Sequence, residues 1–190
     1  MANIIELEAS YHLDKNYDNI LKNIEKQGFK FSYDIVEEDT YYTDKDMIFI
    51  EDRICLRTRK TNEDYLELTY KPKIDNNIEK YGKREVNIRI DSSDYLDVKY
   101  VIEELGYIEY ISFKKHRRVY SKTINDFKYN IMIDDIKGVG KFIELEILAN
   151  NEEEKEKLHD ELDRFVEIIG CQDLKEKKKP YRDIVKDYQS

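Results

Sequence analysis

Apolar and polar residues alternate along much of this chain, and the alternation is clearest toward its C-terminal third. In Gly138-Val139-Gly140-Lys141-Phe142-Ile143-Glu144-Leu145-Glu146-Ile147, the residues Ile143, Leu145 and Ile147 fall on one face of a pleated strand. Phe142, Glu144 and Glu146 fall on the other. The N-terminus repeats the pattern, with Ile5, Leu7 and Ala9 opposite Glu6, Glu8 and Ser10. Each of these two strands therefore presents a Glu-x-Glu pair on its polar face. The same period predicts a strand over 53–59, with Ile54, Leu56 and Thr58 facing away from Arg53, Cys55, Arg57 and Arg59. It predicts another over 65–71, where Leu66, Leu68 and Tyr70 oppose Glu67, Thr69 and Lys71 and Pro72 ends the run. Further strands are expected over 83–90, over 111–122 with Lys115 and Arg117 on one face, and over 129–136 with Asn130, Met132 and Asp134 on the polar side. Asp39-Thr40-Tyr41-Tyr42-Thr43-Asp44 leads to 47–49, which reads as a short strand and turn.

Helical spacing appears between these runs. Tyr17, Ile20, Leu21 and Ile24 predict a helix over 14–27, stopped by Gly28. Asp91-Ser92-Ser93-Asp94 offers caps for a second helix carrying Leu96, Val98, Val101, Ile102 and Leu105, stopped at Gly106. Leu158, Leu162, Phe165, Val166 and Ile169 mark a third over 152–169, with Glu152, Glu153 and Glu154 at its N-terminus, where acidic residues complement the helix dipole. Pro180 begins a short closing helix. Strands dominate and helices cover them, with no linker or low-complexity tract, so a single α+β domain over 1–190 is expected.

Composition narrows the function. The chain has 190 residues and a formal net charge of -9, with a pI near 5.0, which argues against general nucleic-acid binding but leaves room for a small polyanion in a locally basic cleft. No stretch is long and apolar enough to cross a membrane or serve as a signal peptide, which reads as a cytoplasmic protein with no membrane partner. Cys55 and Cys171 lie far apart and form no C-x-x-C pair, so neither a disulfide framework nor a zinc site is indicated. His12, His116 and His159 show no ligand spacing.

The polar faces taken together are unusual. They carry the cations Arg57, Arg59, Lys71, Lys83, Lys115 and Arg117 and the carboxylates Glu6, Glu8, Glu85, Asp134, Glu144 and Glu146. On a common interior, so many charges need water or a charged guest, because each unpaired buried ion costs several kcal/mol. A triphosphate with divalent cations fits this mixture, with cations clamping phosphate oxygens and carboxylates holding the metal.

Glu6-Leu7-Glu8, Asp39-Thr40-Tyr41-Tyr42, Leu56-Arg57-Thr58-Arg59, Leu68-Thr69-Tyr70-Lys71, Lys83-Arg84-Glu85, Lys115-His116-Arg117-Arg118-Val119-Tyr120, Asp134 and Gly138-x-Gly140-x-Phe142-x-Glu144-x-Glu146 resemble, in order, the CYTH superfamily of triphosphate tunnel metalloenzymes. Tyr181-Arg182-Asp183-Ile184-Val185 looks like the tail of bacterial class IV adenylate cyclases. The resemblance implies an antiparallel β-barrel tunnel of about eight strands with helices outside, and Mg²⁺ or Mn²⁺ as cofactor. It implies cyclisation of ATP to cyclic AMP and pyrophosphate, or hydrolysis of inorganic or thiamine triphosphate. A non-catalytic nucleotide or polyphosphate binder is the further alternative, and a homodimer is compatible with all three. By matched position Glu6, Glu8, Asp134, Glu144 and Glu146 are implied as metal ligands. Arg57, Arg59, Lys71, Lys83, Lys115, Arg117 and Arg182 are implied as phosphate contacts, and Glu6, Glu8, Glu85 and Ser10 as catalytic positions. The family's first motif is Glu-x-Glu-x-Lys, and this chain has Ser10 at the lysine position on the tunnel-facing phase of the strand. Weak turnover is the expected consequence unless another cation fills the gap, and His12, in phase with Ser10, is the nearest in sequence.

Overall fold

The structure, a computed structural model, describes residues 5–61, 65–73, 85–124, 127–149 and 155–189. Eight strands form one antiparallel sheet: β1 (Ile5–His12), β2 (Lys30–Thr43), β3 (Cys55–Thr61), β4 (Tyr65–Lys71), β5 (Val86–Asp91), β6 (Ile108–Ile124), β7 (Phe127–Ile136) and β8 (Gly140–Ala149), in the order β1-β8-β7-β6-β2-β3-β4-β5. The helices are α1 (Tyr17–Lys26), α2 (Ile48–Glu51), α3 (Tyr95–Glu104), α4 (Lys155–Ile169) and α5 (Tyr181–Gln189). No helix among the described residues is long and apolar enough to cross a membrane. The fold divides into two compact units, Met1–Asp34 with His116–Pro180 and Ile35–Lys115 with Tyr181–Ser190.

In the first unit the strand pleat decides where the core lies. Register pairs Ala9 with Leu145 and Leu145 with Ile131, so the apolar phases of β1, β8 and β7 share one face. On it Ile131, Ile143, Leu145 and Ile147 are fully buried against Ile20 and Ile24 of α1 and Leu158, Phe165 and Ile169 of α4. Phe165 stacks on Phe29 and meets Tyr129 edge-on, arrangements that add to the area buried. α4 ends at Gly170, whose φ of 87° admits the left-handed turn that lets Gly170 and Cys171 N–H groups return to Val166 O. A side chain there would also come within 2.9 Å of the Asn23 amide, which donates to Ile169 O.

In the second unit Thr58 pairs with Thr40 and Leu68, and Leu68 with Ile88, which sets the face opposite the Arg57 phase. Tyr42, Thr58 and Leu66 are buried on that face, with Ile102 of α3 buried nearby. The same side holds an apolar cavity of about 400 Å³ lined by Phe49, Leu56, Leu68, Val98, Ile102 and Tyr107 among others.

Two local expectations are corrected. Residues 47–49, expected as a short strand, lie in and beside α2, because Asp44 caps it: Oδ1 accepts from Ile48 N at 3.1 Å and Oδ2 from Phe49 N at 2.9 Å. Arg53, expected on the strand over 53–59, precedes β3 in a left-handed conformation with φ of 55°. Asp39 to Thr43, which belong to no element predicted from the sequence, form the end of the long strand β2. The expected position of Lys83, and the acidic run Glu152 to Glu154, lie outside the described residues.

Candidate functional site

The second unit builds its polar face from alternate residues of β2, β3 and β4. Asp39 is the cross-strand partner of Arg59, Tyr41 of Arg57, Arg57 of Thr69 and Arg59 of Glu67. Antiparallel partners share a face, so the pleat gathers these side chains into one surface. Arg59 donates from Nε to Asp39 Oδ1 at 2.6 Å and from Nη2 to Oδ2 at 2.8 Å, and its Nη1 reaches Glu37 Oε1 at 3.0 Å. Lys115 from β6 places Nζ 3.0 Å from Glu37 Oε2 with its side chain only 2% exposed, and it stands over the Tyr181 ring at 5.0 Å. Arg57 donates from Nη2 to Thr69 Oγ1 at 3.0 Å and lies 3.5 Å and 3.8 Å from Glu67 and Asp39. Its Nε is buried with no hydrogen-bond partner among the described residues.

The electrostatics follow from burial. Desolvation alone would raise the Asp39 carboxyl, but Arg59, with Arg57 and Lys115 behind it, reverses that and holds it at about 2. Arg59 is likewise opposed by burial and raised by Asp39 and Glu37. Tyr41 is pushed up by burial and by Asp39. At the margin of this face Lys71 Nζ pairs with Glu85 Oε2 at 2.5 Å, and although burial opposes it, that contact lowers the Glu85 carboxyl. The face thus sets anions and cations against one another in nearly matched number.

The first unit carries the other set. Glu8 faces Glu146 and Ser10 faces Glu144 across the β1–β8 ladder, while Asn130 and Met132 of β7 continue the same rows. Asp134 is the cross-strand partner of Arg117. Arg117 donates from Nε and Nη2 to the two Asp134 oxygens at 2.6 Å each, and its Nη2 also reaches Glu144 Oε2 at 2.6 Å. Glu146 Oε1 accepts from Asn130 Nδ2 at 2.6 Å. Glu6 and Glu8 lie on the same phase of β1, both exposed.

As donors, these carboxylates fit a hard divalent cation. Asp134 and Glu144 come from adjacent strands and turn oxygens onto one cationic nitrogen, and carboxylate oxygen is what Mg²⁺ and Mn²⁺ take. In the conformation seen they serve Arg117, and among the described residues no group of three or more His, Cys, Asp or Glu side chains is placed to hold a metal ion.

The sequence-derived residues therefore fall into two groups. Glu6, Glu8, Ser10, Arg117, Asp134, Glu144 and Glu146 belong to the first unit, and Arg57, Arg59, Lys71, Glu85, Lys115 and Arg182 to the second. Arg182 turns its donors to backbone carbonyls and to a neighbouring carboxylate. It is 3% exposed, and it donates from Nη1 to Ile54 O at 2.6 Å and from Nη2 to Ile50 O at 3.3 Å, with Nε on Asp183. Glu37 and Lys177 were not singled out from sequence, and Tyr41, Thr69 and Asn130 were named in strand patterns or motifs but given no role. For Glu37 and Tyr41 the signal was present, since extending the alternation back from Tyr41 through Asp39 reaches Glu37.

The model of the CYTH domain matches residues 4–181. A protein of Methanocaldococcus jannaschii named "Putative adenylate cyclase" is 30% identical over 168 residues, which are 88% of this chain and 90% of the relative. Among solved structures, the PH1012 protein of Pyrococcus horikoshii superposes with a TM-score of 0.72 at 22% identity, over 95% of this chain and 99% of the other. A Hippeastrum protein described as a "putative adenylyl cyclase" that "reveals a dominant" triphosphatase activity superposes with a TM-score of 0.68 at 13% identity, over 96% of each chain. These structures share the eight-stranded α+β fold expected from sequence.

Proposed function

The chain belongs to the CYTH family, and we propose that it is a metal-dependent enzyme acting on triphosphate-containing substrates, most like a class IV adenylate cyclase. The observation that carries the reading is Arg57, whose buried Nε has no acceptor among the described residues. A buried unpaired donor is costly, and an anionic phosphate oxygen is the acceptor that such a guanidinium takes best. Lys115, which is buried, and Arg59, which is half-buried, bring two more cations to the same face.

In this proposal Arg57, Arg59, Lys71 and Lys115 hold phosphate oxygens, as do Arg117 and, by motif alone, Lys83. Glu6, Glu8, Asp134, Glu144 and Glu146 hold Mg²⁺ or Mn²⁺. When bound, the metal offsets charge on the triphosphate as a P–O bond breaks. The protein's own groups fix the chain of phosphates, so that the 3′-hydroxyl of ATP attacks the α-phosphorus and pyrophosphate leaves. Positioning is the larger part of such catalysis. The 30% identity to a protein named "Putative adenylate cyclase" favours this reaction.

Triphosphate hydrolysis is the second reading, favoured by the triphosphatase activity described for the Hippeastrum protein of the same fold. It needs the same clamp, with a water in line with the terminal phosphorus. The two free thiols and the acidic balance fit a cytoplasmic protein whose partner is a small polyanion. Incubation with ATP, thiamine triphosphate and inorganic triphosphate under Mn²⁺, with products separated by chromatography, tests the reading. Cyclic AMP with pyrophosphate supports the cyclase and free phosphate the hydrolase. Binding without any product leaves a nucleotide or polyphosphate sensor.

A further inference from the structure

Beside Ser10 the first unit holds a cation that none of its sheet strands supplies. After Gly170 ends α4 the chain turns, with Leu174 N donating to Cys171 O, and then runs antiparallel along β1. His12 N donates to Lys175 O and Lys177 N donates to Ser10 O, each at 2.8 Å, and Tyr11 and Glu176 are bridge partners. Tyr11 packs with the apolar core, so the pleat sends Lys177 to the opposite side, the side of Ser10 and Glu144. Lys177 places Nζ 3.5 Å from Glu144 Oε1 with 10% of its side chain exposed.

Ser10 and Glu144 are direct cross-strand partners. Lys177, Ser10 and Glu144 therefore form one row across three adjacent backbones. Glu144 stands two backbones from Lys177, about 10 Å at ordinary strand spacing, and the two side chains close that gap over the small residue between them. A long side chain at position 10 would occupy the path. Arg117 holds the other Glu144 oxygen, so the carboxylate is flanked by two cations on the polar face.

We propose that Lys177 is a phosphate-binding residue of this face, placing its ammonium where a lysine at position 10 would place one. The proposal rests on the triphosphate reading above. It identifies the backbone addition to β1 as the device that delivers the charge, and it makes Ser10 a clearance rather than a loss. His12 does not compete for the role. Burial, then Lys175 and, to a smaller degree, Lys177 hold its imidazole below the ordinary value, with Asp14 opposing them, so it is neutral at pH 7.

The test is a charge transplant read by calorimetry with inorganic triphosphate, in EDTA and again with Mg²⁺. Lys177→Met keeps the stem and the backbone N–H but removes the ammonium, and it is expected to weaken binding roughly 10- to 100-fold, the worth of one charge-assisted contact. Ser10→Lys in the Lys177→Met background is expected to restore most of that loss. Ser10→Lys alone brings no gain, because two ammoniums then crowd one row. Lys177→Arg, which keeps the charge, holds affinity within a few fold and guards against a methionine variant that misfolds. Unchanged affinity in a folded Lys177→Met overturns the proposal while leaving the triphosphate reading intact. So does a loss that Ser10→Lys does not repair, since that marks a purely structural ion pair. A wild-type protein that binds no triphosphate in either buffer overturns the functional reading, and this proposal with it.

Discussion

Asp39 and Arg59 are cross-strand partners joined by a two-pronged contact, Nε to Oδ1 at 2.6 Å and Nη2 to Oδ2 at 2.8 Å, with Asp39 fully buried. The pair makes a carboxylate part of the fold's stability. Its carboxyl stands at about 2, against an ordinary 3.8. Folding thus favours the ionised form, and the stability it brings is whole above about pH 4 and lost as pH falls toward 2, amounting to about 2 kcal/mol. Denaturant titrations of wild type are expected to show that loss between about pH 4 and pH 2. Asp39→Asn should be less stable at pH 7 and should flatten the acid limb. An acid limb equally steep in both proteins would show that other groups carry it.

The same fork bears on ligand. Arg59 already has its strongest donors on Asp39 and Glu37, whereas Arg57 has looser ion pairs and a buried Nε without an acceptor. Arg57 is therefore expected to matter more for phosphate. Arg57→Lys removes the fork geometry and should weaken triphosphate binding by about 1.5 to 3 kcal/mol, measured by calorimetry. Arg59→Lys is expected to cost more in folding than in binding. The reverse ranking would mean that Arg59 leaves Asp39 when ligand arrives.

Arg182 has its donors on the backbone in this structure. Its guanidinium takes carbonyls of Ile54 and Ile50 at the exit from α2, so its removal leaves half-buried acceptors, at a cost of about 1 kcal/mol each. Arg182→Lys is expected to lower the melting temperature by several degrees, at about 2–4 °C per kcal/mol for a chain of this size. Triphosphate affinity, measured well below that temperature, should stay within roughly threefold of wild type, less than a lost charge-assisted contact would cost. A large affinity loss in a fully folded variant would return Arg182 to the phosphate contacts.

Strand faces were legible because period two is read directly from residue order. β4 begins and ends where the alternation does, and the Ser10, Glu144 and Asp134 phases came out on one face. Residues 47–49 misled because Ile48, Phe49 and Ile50 look like strand residues. A capping carboxylate at Asp44 and the Arg182 guanidinium, 132 residues from Ile50, decide their conformation. Lys177 was not legible, since Lys177, Lys178 and Lys179 read alike. Only the pairing of the tail with β1 selects which of them turns inward. The contacts of Arg182 were not legible for a related reason: a tail motif says which residue is present, but not that its donors meet the carbonyls of Ile54 and Ile50.

Glu144 gives the sharpest test of the carboxylate assignment. It pairs with Arg117 through Oε2 and with Lys177 through Oε1, and it is the cross-strand partner of Ser10. Glu144→Gln keeps the shape but removes the charge that both cations and a divalent metal would use. Arg117 retains both Asp134 oxygens, so the fold is expected to survive with a small change in melting temperature. Mn²⁺ affinity, followed by the loss of the free-ion signal in electron paramagnetic resonance, should fall at least tenfold, since an ionic oxygen ligand is replaced by a neutral one. Activity on the preferred triphosphate should fall further than affinity and recover only in part as Mn²⁺ is raised. A variant that binds Mn²⁺ as wild type does would show that Glu144 serves only the two cations, and the metal would have to be sought among Glu6, Glu8, Asp134 and Glu146.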